Sequence, residues 1–338
     1  MIKRFAYFFY YLKELDKRRF SKFLNYVSSS TGRSKFSIIK DVFLSSIRYN
    51  ISILEYFNFH FYNISEKEKQ TFAGTGYMYE YQLKMNPPAQ RNVLEDKITF
   101  LNEYREFVNH SFVSINDIHN QQGQVEEVLK NISGKIVLKD SKGQCGNGVK
   151  VIDASGQNAG SLENALKETG NDYAEEFVSQ HKDLMALSPS GLNTIRIITQ
   201  LNKNNGVDLL GCRLRITVNS SVDNLAAGNI AAPVDEKTGI VTSAGIYSDI
   251  TKEDEINHPV TGVAIKGFQV PWWNETVAIV KKAALANIGN RSIGWDVAIT
   301  DAGPELIEGN HDWCKLLWQL PVKKGLKQEL EKYLTKEK

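Results

Sequence analysis

The stretch GWDVAITDAGPELIEGN, residues 294–310, decides the fold class of this chain. Its centre, Asp301-Ala302-Gly303-Pro304, has strong turn chemistry and lies between two β-like runs, so it predicts an antiparallel hairpin. The midpoint of positions 296 and 308 falls inside this turn. Asp296 and Glu308 are therefore expected to face each other on paired strands.

The same hairpin contains the candidate metal ligands. Asn310 follows Glu308 by two residues, so both side chains point from one face of the strand. Two carboxylates and an amide oxygen that converge suit Mg²⁺, which takes about six oxygen ligands. The alternative is an exposed polar hairpin. Asp296, Glu308 and Asn310 are the predicted magnesium ligands.

A second hairpin is predicted from LNTIRIITQL (192–201) and LLGCRLRITV (209–218), because Asn204-Asn205-Gly206 between them tolerates positive φ. A turn centred there places Arg196 near Arg213. Arg215 shares the polar face of its strand with Arg213.

Three arginines on one face would repel each other unless they shared an anion. Arg196, Arg213 and Arg215 therefore indicate a phosphate or carboxylate site, with a solvated sheet face as the alternative.

A glycine-rich loop, DSKGQCGNG (140–148), follows Lys139. Gly143, Gly146 and Gly148 would let backbone amides approach an anion without obstruction by a Cβ atom. The spacing matches neither the P-loop nor the dinucleotide-binding fingerprint. A flexible turn is the alternative interpretation.

The segment YAEEFVSQH (173–181) predicts a strand that alternates Glu175 with Phe177 next to Val178. Such a strand can form an apolar slot for a planar base. An ordinary amphipathic strand is equally compatible with the pattern.

The remaining pattern predicts a helical N-terminal region and an α+β body. Residues 1–85 have helix-like apolar spacing, and Asn86-Pro87-Pro88 interrupts it. The predicted division is 1–85 and 86–338, the latter with a glycine-loop lobe at about 110–180 and a catalytic lobe at about 181–338. Further predicted elements are helices at 93–108, 162–169 and 275–288, the last with Asn274 as N-cap and Gly289 at its end, and strands at 135–139, 149–153 and 173–179.

Composition excludes several classes of protein. The 338 residues have a formal net charge of +2, too balanced for a surface that tracks nucleic acid, so no nucleic-acid partner is expected. Three dispersed cysteines and six dispersed histidines indicate neither disulfides nor a zinc site, which fits a reducing cytoplasm. The pattern indicates no particular oligomeric state.

Charge is concentrated at the N-terminus. Residues 1–40 contain ten Lys or Arg against Glu14 and Asp16, and aromatic residues are interleaved with them. Two interpretations of this segment are open: a helical cap whose basic side chains face water, which the pattern slightly favours, and peripheral contact with the inner face of the membrane.

In this order, these motifs resemble the ATP-grasp superfamily: a strand that ends in lysine, a glycine-rich loop, an EEFV strand, a sheet with arginines, and a late Asp followed by ExN. The strings QHKDLMALSPSGLNTIRIIT, DNLAAGNIAAPVDEKTG and HPVTGVAIKGFQVPWW are similar to its sugar-transfer-associated family of polysaccharide biosynthesis. The similarity runs from about residue 35 to 320. One departure is Gly228-Asn229, where a Gly-Gly pair is expected.

The resemblance implies an ATP-grasp fold and a role for each matched residue. Mg²⁺ would be held by Asp296, Glu308 and Asn310, and Arg196, Arg213 and Arg215 would be the catalytic cations. The residues implied to bind ATP are Lys97 and Lys139 at the phosphates, the loop glycines 143, 146 and 148, Glu175, Glu176 and Val178 around the adenine, and Asp183 at the ribose.

The implied activity is that of a cytoplasmic Mg-ATP-dependent ligase in surface-glycan synthesis. It would activate a small-molecule or glycan-linked carboxylate as an acyl phosphate for attack by an amine or similar nucleophile. Two alternatives are a phosphotransferase acting on a glycan and a non-catalytic nucleotide-binding scaffold.

Overall fold

The computed structural model describes residues 2–143 and 148–334. Within them, the helices α1–α14 and strands β1–β9 follow in chain order. The helices are Ile2–Lys13, Lys17–Thr31, Lys35–Tyr49, Ile53–Asn58, Glu66–Lys69, Thr75–Met85, Asn92–Glu95, Lys97–Glu103, Gln122–Leu129, Ala159–Thr169, Lys182–Leu187, Trp273–Ala286, Lys315–Gln319 and Lys327–Leu334. The strands are Phe112–Ser114, Lys135–Lys139, Lys150–Asp153, Tyr173–Glu176, Thr194–Leu201, Val207–Ile216, Ile230–Val234, Ser292–Thr300 and Gly303–Asn310.

Two antiparallel sheets confirm the predicted α+β class with a helical N-terminal region. The smaller sheet has the order β1-β4-β2-β3, and the larger has the order β7-β6-β5-β8-β9. Both predicted hairpins are confirmed, with Arg196 opposite Arg213 and Asp296 opposite Glu308.

Alternation along β8 separates the core from the site. Trp295, Val297 and Ile299 are buried in the same cluster as Val280 of α12. Asp296 lies between two of these apolar residues and therefore points to the opposite face of the sheet. A register shift between Asp296 and Val297 gives β9 one extra residue, so the shift lies between the functional pair and the turn.

The helical N-terminal region is fixed to the larger sheet. Tyr81 of α6 donates to Oε1 of Gln200 at 2.6 Å, and the amide of Asn58 donates to the carbonyl of Ser248 at 2.8 Å. Because α6 shares a core with the larger sheet, the division at residue 86 stays a prediction. Within the described ranges no helix combines the length and the hydropathy that crossing a bilayer requires.

The predicted helix at 93–108 is wrong as a single element. Its first part is divided into α7 and α8 by Asp96, whose backbone is extended at φ −109°. The Asp96 side chain accepts from the backbone amide of Thr99 at 2.8 Å and caps a new helix that begins at Lys97.

The caps predicted for the late helix are also wrong. Helix α12 begins at Trp273, so Asn274 lies inside its first turn, and the residue at the N-cap position is Trp272. The carbonyl of Trp272 accepts from the backbone of Thr276 at 2.8 Å, so the helix starts two residues earlier than it would with Asn274 as its N-cap. At the other end the C-cap residue is Asn287 rather than Gly289.

Candidate functional site

A cavity of about 370 Å³ lies between the two sheets. The small sheet contributes apolar walls from Val137 and Val151, and the large sheet contributes charged side chains. The cavity brings together eight of the residues predicted from sequence: Lys97, Lys139, Gly143, Glu175, Val178, Arg215, Asp296 and Glu308.

The predicted metal ligands lie at the end of the β8–β9 hairpin. Asp296 faces Glu308 across the strand pair, and the amide of Asn310 donates to Oε1 of Glu308 at 3.2 Å. Burial, and then the neighbouring negative charge of Asp296, raise the pKa of Glu308. Burial alone would raise the pKa of Asp296 too, but Arg196 and Arg215 hold it well below its usual range.

This arrangement fits a divalent cation. Two buried carboxylates repel each other, and this repulsion adds to the effect of burial on the pKa of Glu308. A cation bound by Glu308 and the amide oxygen of Asn310 would offset the second negative charge, and oxygen is the ligand that Mg²⁺ prefers. Among residues 2–143 and 148–334, no group of three or more His, Cys, Asp or Glu side chains forms a metal site. The candidate set is accordingly two carboxylates and one amide.

Two arginines hold Asp296 in place. Arg196 forms a two-point contact with it, with Nη2 at 2.9 Å from Oδ2, and Nη1 of Arg215 lies 2.6 Å from the same oxygen. Arg215 also lies 2.5 Å from Asp223 through its other terminal nitrogen. Arg215 therefore links two buried carboxylates at the cavity wall.

Arg213 is not part of this group, although it shares the strand face. Its Nε and Nη2 atoms donate to the carbonyl of Trp318 at 3.0 and 2.5 Å, and Nη1 donates to the carbonyl of Cys212 at 2.8 Å. Burial lowers the pKa of Arg213 to about 10. The predicted cluster of three arginines at an anion is therefore reduced to Arg196 and Arg215.

The two predicted phosphate lysines lie at the opposite wall. Lys97 donates to the carbonyl of Gly143, and Lys139 forms an ion pair with Glu175. Lys139 ends β2 opposite Tyr173 of β4, and Glu175 lies two residues further along β4, so the two side chains are diagonal neighbours on one face. Both lysines place a positive charge at the cavity.

Other predicted residues lie away from the cavity. Glu176 points from the other face of β4, 3.4 Å from the backbone amide of Ser111. Asp183 lies on α11 with a half-exposed side chain near His181. Gly148 has φ +77° and its carbonyl accepts from Asn171, while Gly146 lies outside the described residues.

Asp223 is a cavity residue that the sequence patterns did not single out. Burial raises its pKa, and Arg215 opposes that shift. Its Oδ2 accepts from the backbone amide of Thr194 at 2.9 Å, which ties the 220–224 loop to β5. The sequence feature that could have identified it is Asp223-Asn224, the first two residues of the string DNLAAGNIAAPVDEKTG.

Asn229, the departure from the expected Gly-Gly pair, holds the same loop. Its Oδ1 accepts from the backbone of Val218 at 2.8 Å, and its Nδ2 donates to the carbonyls of Val222 at 2.6 Å and Asn224 at 3.0 Å. The side chain is fully buried. A glycine here would lose all three bonds, so Asn229 keeps Asp223 beside Arg215.

Comparison with known proteins identifies the family. A family model described as sugar-transfer-associated ATP-grasp matches residues 77–334. The match covers most of the chain, which therefore belongs to that family. No curated protein matches the sequence.

Solved structures with a similar fold include three ATP-grasp or synthetase proteins. The ATP-grasp ligase PsnB with a minimal precursor is 11% identical, with a TM-score of 0.43 over 74% of this chain and 62% of that one, so this chain spans less than two thirds of PsnB. The L-amino acid ligase from Bacillus licheniformis is 15% identical, with a TM-score of 0.39 over 70% of this chain and 49% of that one. The N5-carboxyaminoimidazole synthetase from Staphylococcus aureus complexed with ADP is 10% identical, with a TM-score of 0.41 over 69% of this chain and 52% of that one.

Proposed function

We propose that this ATP-grasp protein is a Mg-ATP-dependent ligase that activates a carboxylate as an acyl phosphate and transfers the acyl group to an amine or similar nucleophile. The observation that carries the proposal is the cavity itself. It places Lys97 and Lys139 on one wall and the Asp296, Glu308 and Arg215 group on the other.

We infer one orientation of ATP in the cavity from the residues that line it. The apolar walls at Val137 and Val178 suit the adenine, and the edge of the slot is lined by Glu175. The lysines would contact the phosphates through charge-assisted hydrogen bonds. The γ-phosphate would then lie toward Glu308 and Arg215.

Magnesium, when bound at Glu308, Asn310 and Asp296, would neutralise phosphate charge. Arg215 would stabilise the negative charge that develops on the transferring phosphoryl group, since its guanidinium is already held in place by Asp223 and Asp296. Arg196 acts on Asp296 and is a positioning residue.

The proposed reaction has two steps. A carboxylate oxygen attacks the γ-phosphorus, and the bond to the β–γ bridging oxygen breaks, which releases ADP. The nucleophile's nitrogen then attacks the acyl carbon and loses a proton to solvent. Phosphate leaves with the oxygen that belonged to the carboxylate.

The family description, sugar-transfer associated, supports a product in a capsule, a lipopolysaccharide or another surface glycan, such as a sugar joined to an amino acid. We place this reaction in the cytoplasm, where ATP is available. Mass spectrometry of glycan intermediates from cells with and without the protein would identify the product.

An isotope experiment tests the chemistry. The product identified in this way shows which carboxylate is the substrate, and that carboxylate is then labelled with oxygen-18. Label is expected in the released phosphate, and hydroxylamine is expected to trap a hydroxamate. Release of AMP and pyrophosphate would show an adenylate mechanism instead. Phosphate that stays covalently on the glycan would show a phosphotransferase.

A further inference from the structure

Two N-terminal helices present apolar side chains to solvent. On α1, Phe5, Phe9 and Leu12 are 40, 67 and 44% exposed, and their spacing puts them on one face. Tyr11, on the opposite side of the helix, is buried. Tyr7 and Phe8 also pack against the core, so α1 is apolar on its inward face and on its outward face, unlike an ordinary surface helix.

Helix α3 is likewise apolar on both faces. Phe36, Ile39 and Phe43 are 80, 44 and 40% exposed, while Ile38 and Val42 on the other face are buried. Such a pattern leaves an apolar stripe that is partly open to solvent.

The two stripes adjoin. The rings of Phe8 and Phe43 meet edge to face with centroids 5.0 Å apart. Arg4 donates to the carbonyl of Arg48 at the end of α3 at 2.7 Å. We name the combined surface the apolar plate: Phe5, Phe9, Leu12, Phe36, Ile39 and Phe43.

Helix α2 lies between them in sequence and provides an internal contrast. Its buried residues Phe23, Leu24 and Val27 face the core, and its exposed face is mostly polar or charged. Among these three helices, α1 and α3 expose an apolar face and α2 does not.

Basic side chains border the apolar plate. Lys13 ends α1, and Lys35 and Lys40 lie on α3, all exposed. In residues 2–143 and 148–334, none of these three lysines forms an ion pair with an acidic side chain. Of the nearby acidic residues, Asp16 caps α2, Asp41 pairs with Arg33, and Glu14 is exposed next to Lys13. The surface thus joins exposed aromatic rings to a net positive charge.

We propose that the apolar plate docks on an anionic membrane leaflet, with α1 and α3 lying in the plane of the interface. Aromatic and aliphatic side chains would enter the headgroup boundary, and the lysines would contact anionic headgroups. Twelve residues of α1 rise only about 18 Å, which suits a helix lying in the interface and not one crossing it. This docking does not depend on the ligase activity proposed above. A second copy of the chain fits less well, because the same lysines would face each other across a symmetric contact.

Vesicle flotation of the full chain tests the proposal. The protein is expected to float with vesicles that contain about 30 mol% phosphatidylserine in phosphatidylcholine, and to stay in solution with phosphatidylcholine alone. Phe9→Ser with Phe36→Ser should weaken partition at least tenfold, on the order expected for two aromatic side chains withdrawn from the interface. Lys35→Gln with Lys40→Gln should weaken it roughly 30-fold.

Matched controls separate docking from folding. Tyr26→Ser removes an exposed aromatic residue of α2, and Lys281→Gln with Lys282→Gln removes two exposed charges of α12. Both should partition like the wild type. Circular dichroism should show unchanged melting in every variant, and the lysine pair keeps the test valid should the phenylalanine pair misfold.

Absence of flotation with anionic vesicles at low salt would overturn the proposal, as would equal partition of the plate and control variants. A dimer in sedimentation velocity that the phenylalanine pair dissociates, with no vesicle binding, would show that a second copy covers the apolar plate.

Discussion

Glu305 and His110 form a buried pair that joins the two sheets. Oε2 of Glu305, on β9, lies 2.7 Å from Nδ1 of His110, which precedes β1. The same oxygen accepts from the backbone amides of Asn109 at 2.9 Å and His110 at 3.0 Å. The other ring nitrogen of His110 lies 3.8 Å from Glu175 at the cavity. The β8–β9 hairpin and the small sheet are thus fixed to each other next to the site.

Glu305→Gln is expected to destabilise the fold by about 2 kcal/mol at pH 7, because the carboxylate accepts three hydrogen bonds. Burial would raise the pKa of Glu305, but bonds from His110 and the backbone hold it below its usual value. A depressed pKa contributes stability above the unfolded value of about 4.3, and this is lost as the pH falls through the folded value.

The stability gap between wild type and Glu305→Gln should therefore be widest at neutral pH and shrink in acid. Urea unfolding at several pH values measures it. A gap that is constant with pH would contradict the ionised state of Glu305.

Glu308→Gln is expected to lower turnover at least about 100-fold, because the magnesium that neutralises the phosphate charge would lose one of its proposed carboxylate ligands. The fold should gain stability at neutral pH. A carboxyl group whose pKa is raised in the folded state contributes stability below its unfolded pKa, and this stability is lost as the pH rises through the folded pKa. Glutamine does not ionise, so the variant does not lose stability in this way. ADP release and thermal melting measure the two effects.

Asp301→Asn, at the exposed turn of the same hairpin, is the control for Glu308→Gln and should retain turnover. Wild-type turnover in Glu308→Gln would remove Glu308 from the site.

Lys139→Ala is expected to weaken ATP binding at least about tenfold, because the loss of a charged hydrogen bond to phosphate costs more than 1 kcal/mol. Binding of adenosine should change much less, since the lysine is directed at phosphate. Calorimetry with both ligands measures the difference. Lys150→Ala, on the exposed part of the neighbouring strand β3, is the control. Unchanged ATP affinity would favour the flexible-turn interpretation of the loop after Lys139.

Local pattern predicts the hairpins of this fold well. The pairs Arg196 with Arg213 and Asp296 with Glu308 could be placed from sequence alone, from the estimated centres of the two turns. In both hairpins a register shift lies between the functional pair and the turn, so the pairs next to each turn differ by one residue from those that the same centres predict.

Contacts between distant segments could not be predicted in this way. His110 and Glu305 are 195 residues apart, and nothing in either local pattern indicates the other. The buried position of Asp223 depends on bonds from Thr194 and on the loop that Asn229 holds. Such contacts depend on how separate elements pack, which periodicity does not specify.

Arg213 and Arg215 of β6 provide the sharpest test of the proposed site. The alternation along the strand places both on one face, but the packing gives them different contacts. Arg215 contacts Asp223 and Asp296, whereas the guanidinium of Arg213 is committed to the carbonyl of Trp318. Arg215→Lys keeps the charge but a single ammonium cannot reproduce the planar fork between two carboxylates, so turnover should fall about 100-fold with the fold retained. Arg213→Lys should instead lower the melting temperature by a few degrees, about 1–3 kcal/mol of lost bonding, and leave turnover within a few-fold of the wild type. Parallel measurement of ADP release and melting separates the two variants. If Arg213→Lys lost turnover at unchanged stability, Arg213 would belong to the catalytic group implied by the family resemblance, and its contact with Trp318 would have to break during the reaction.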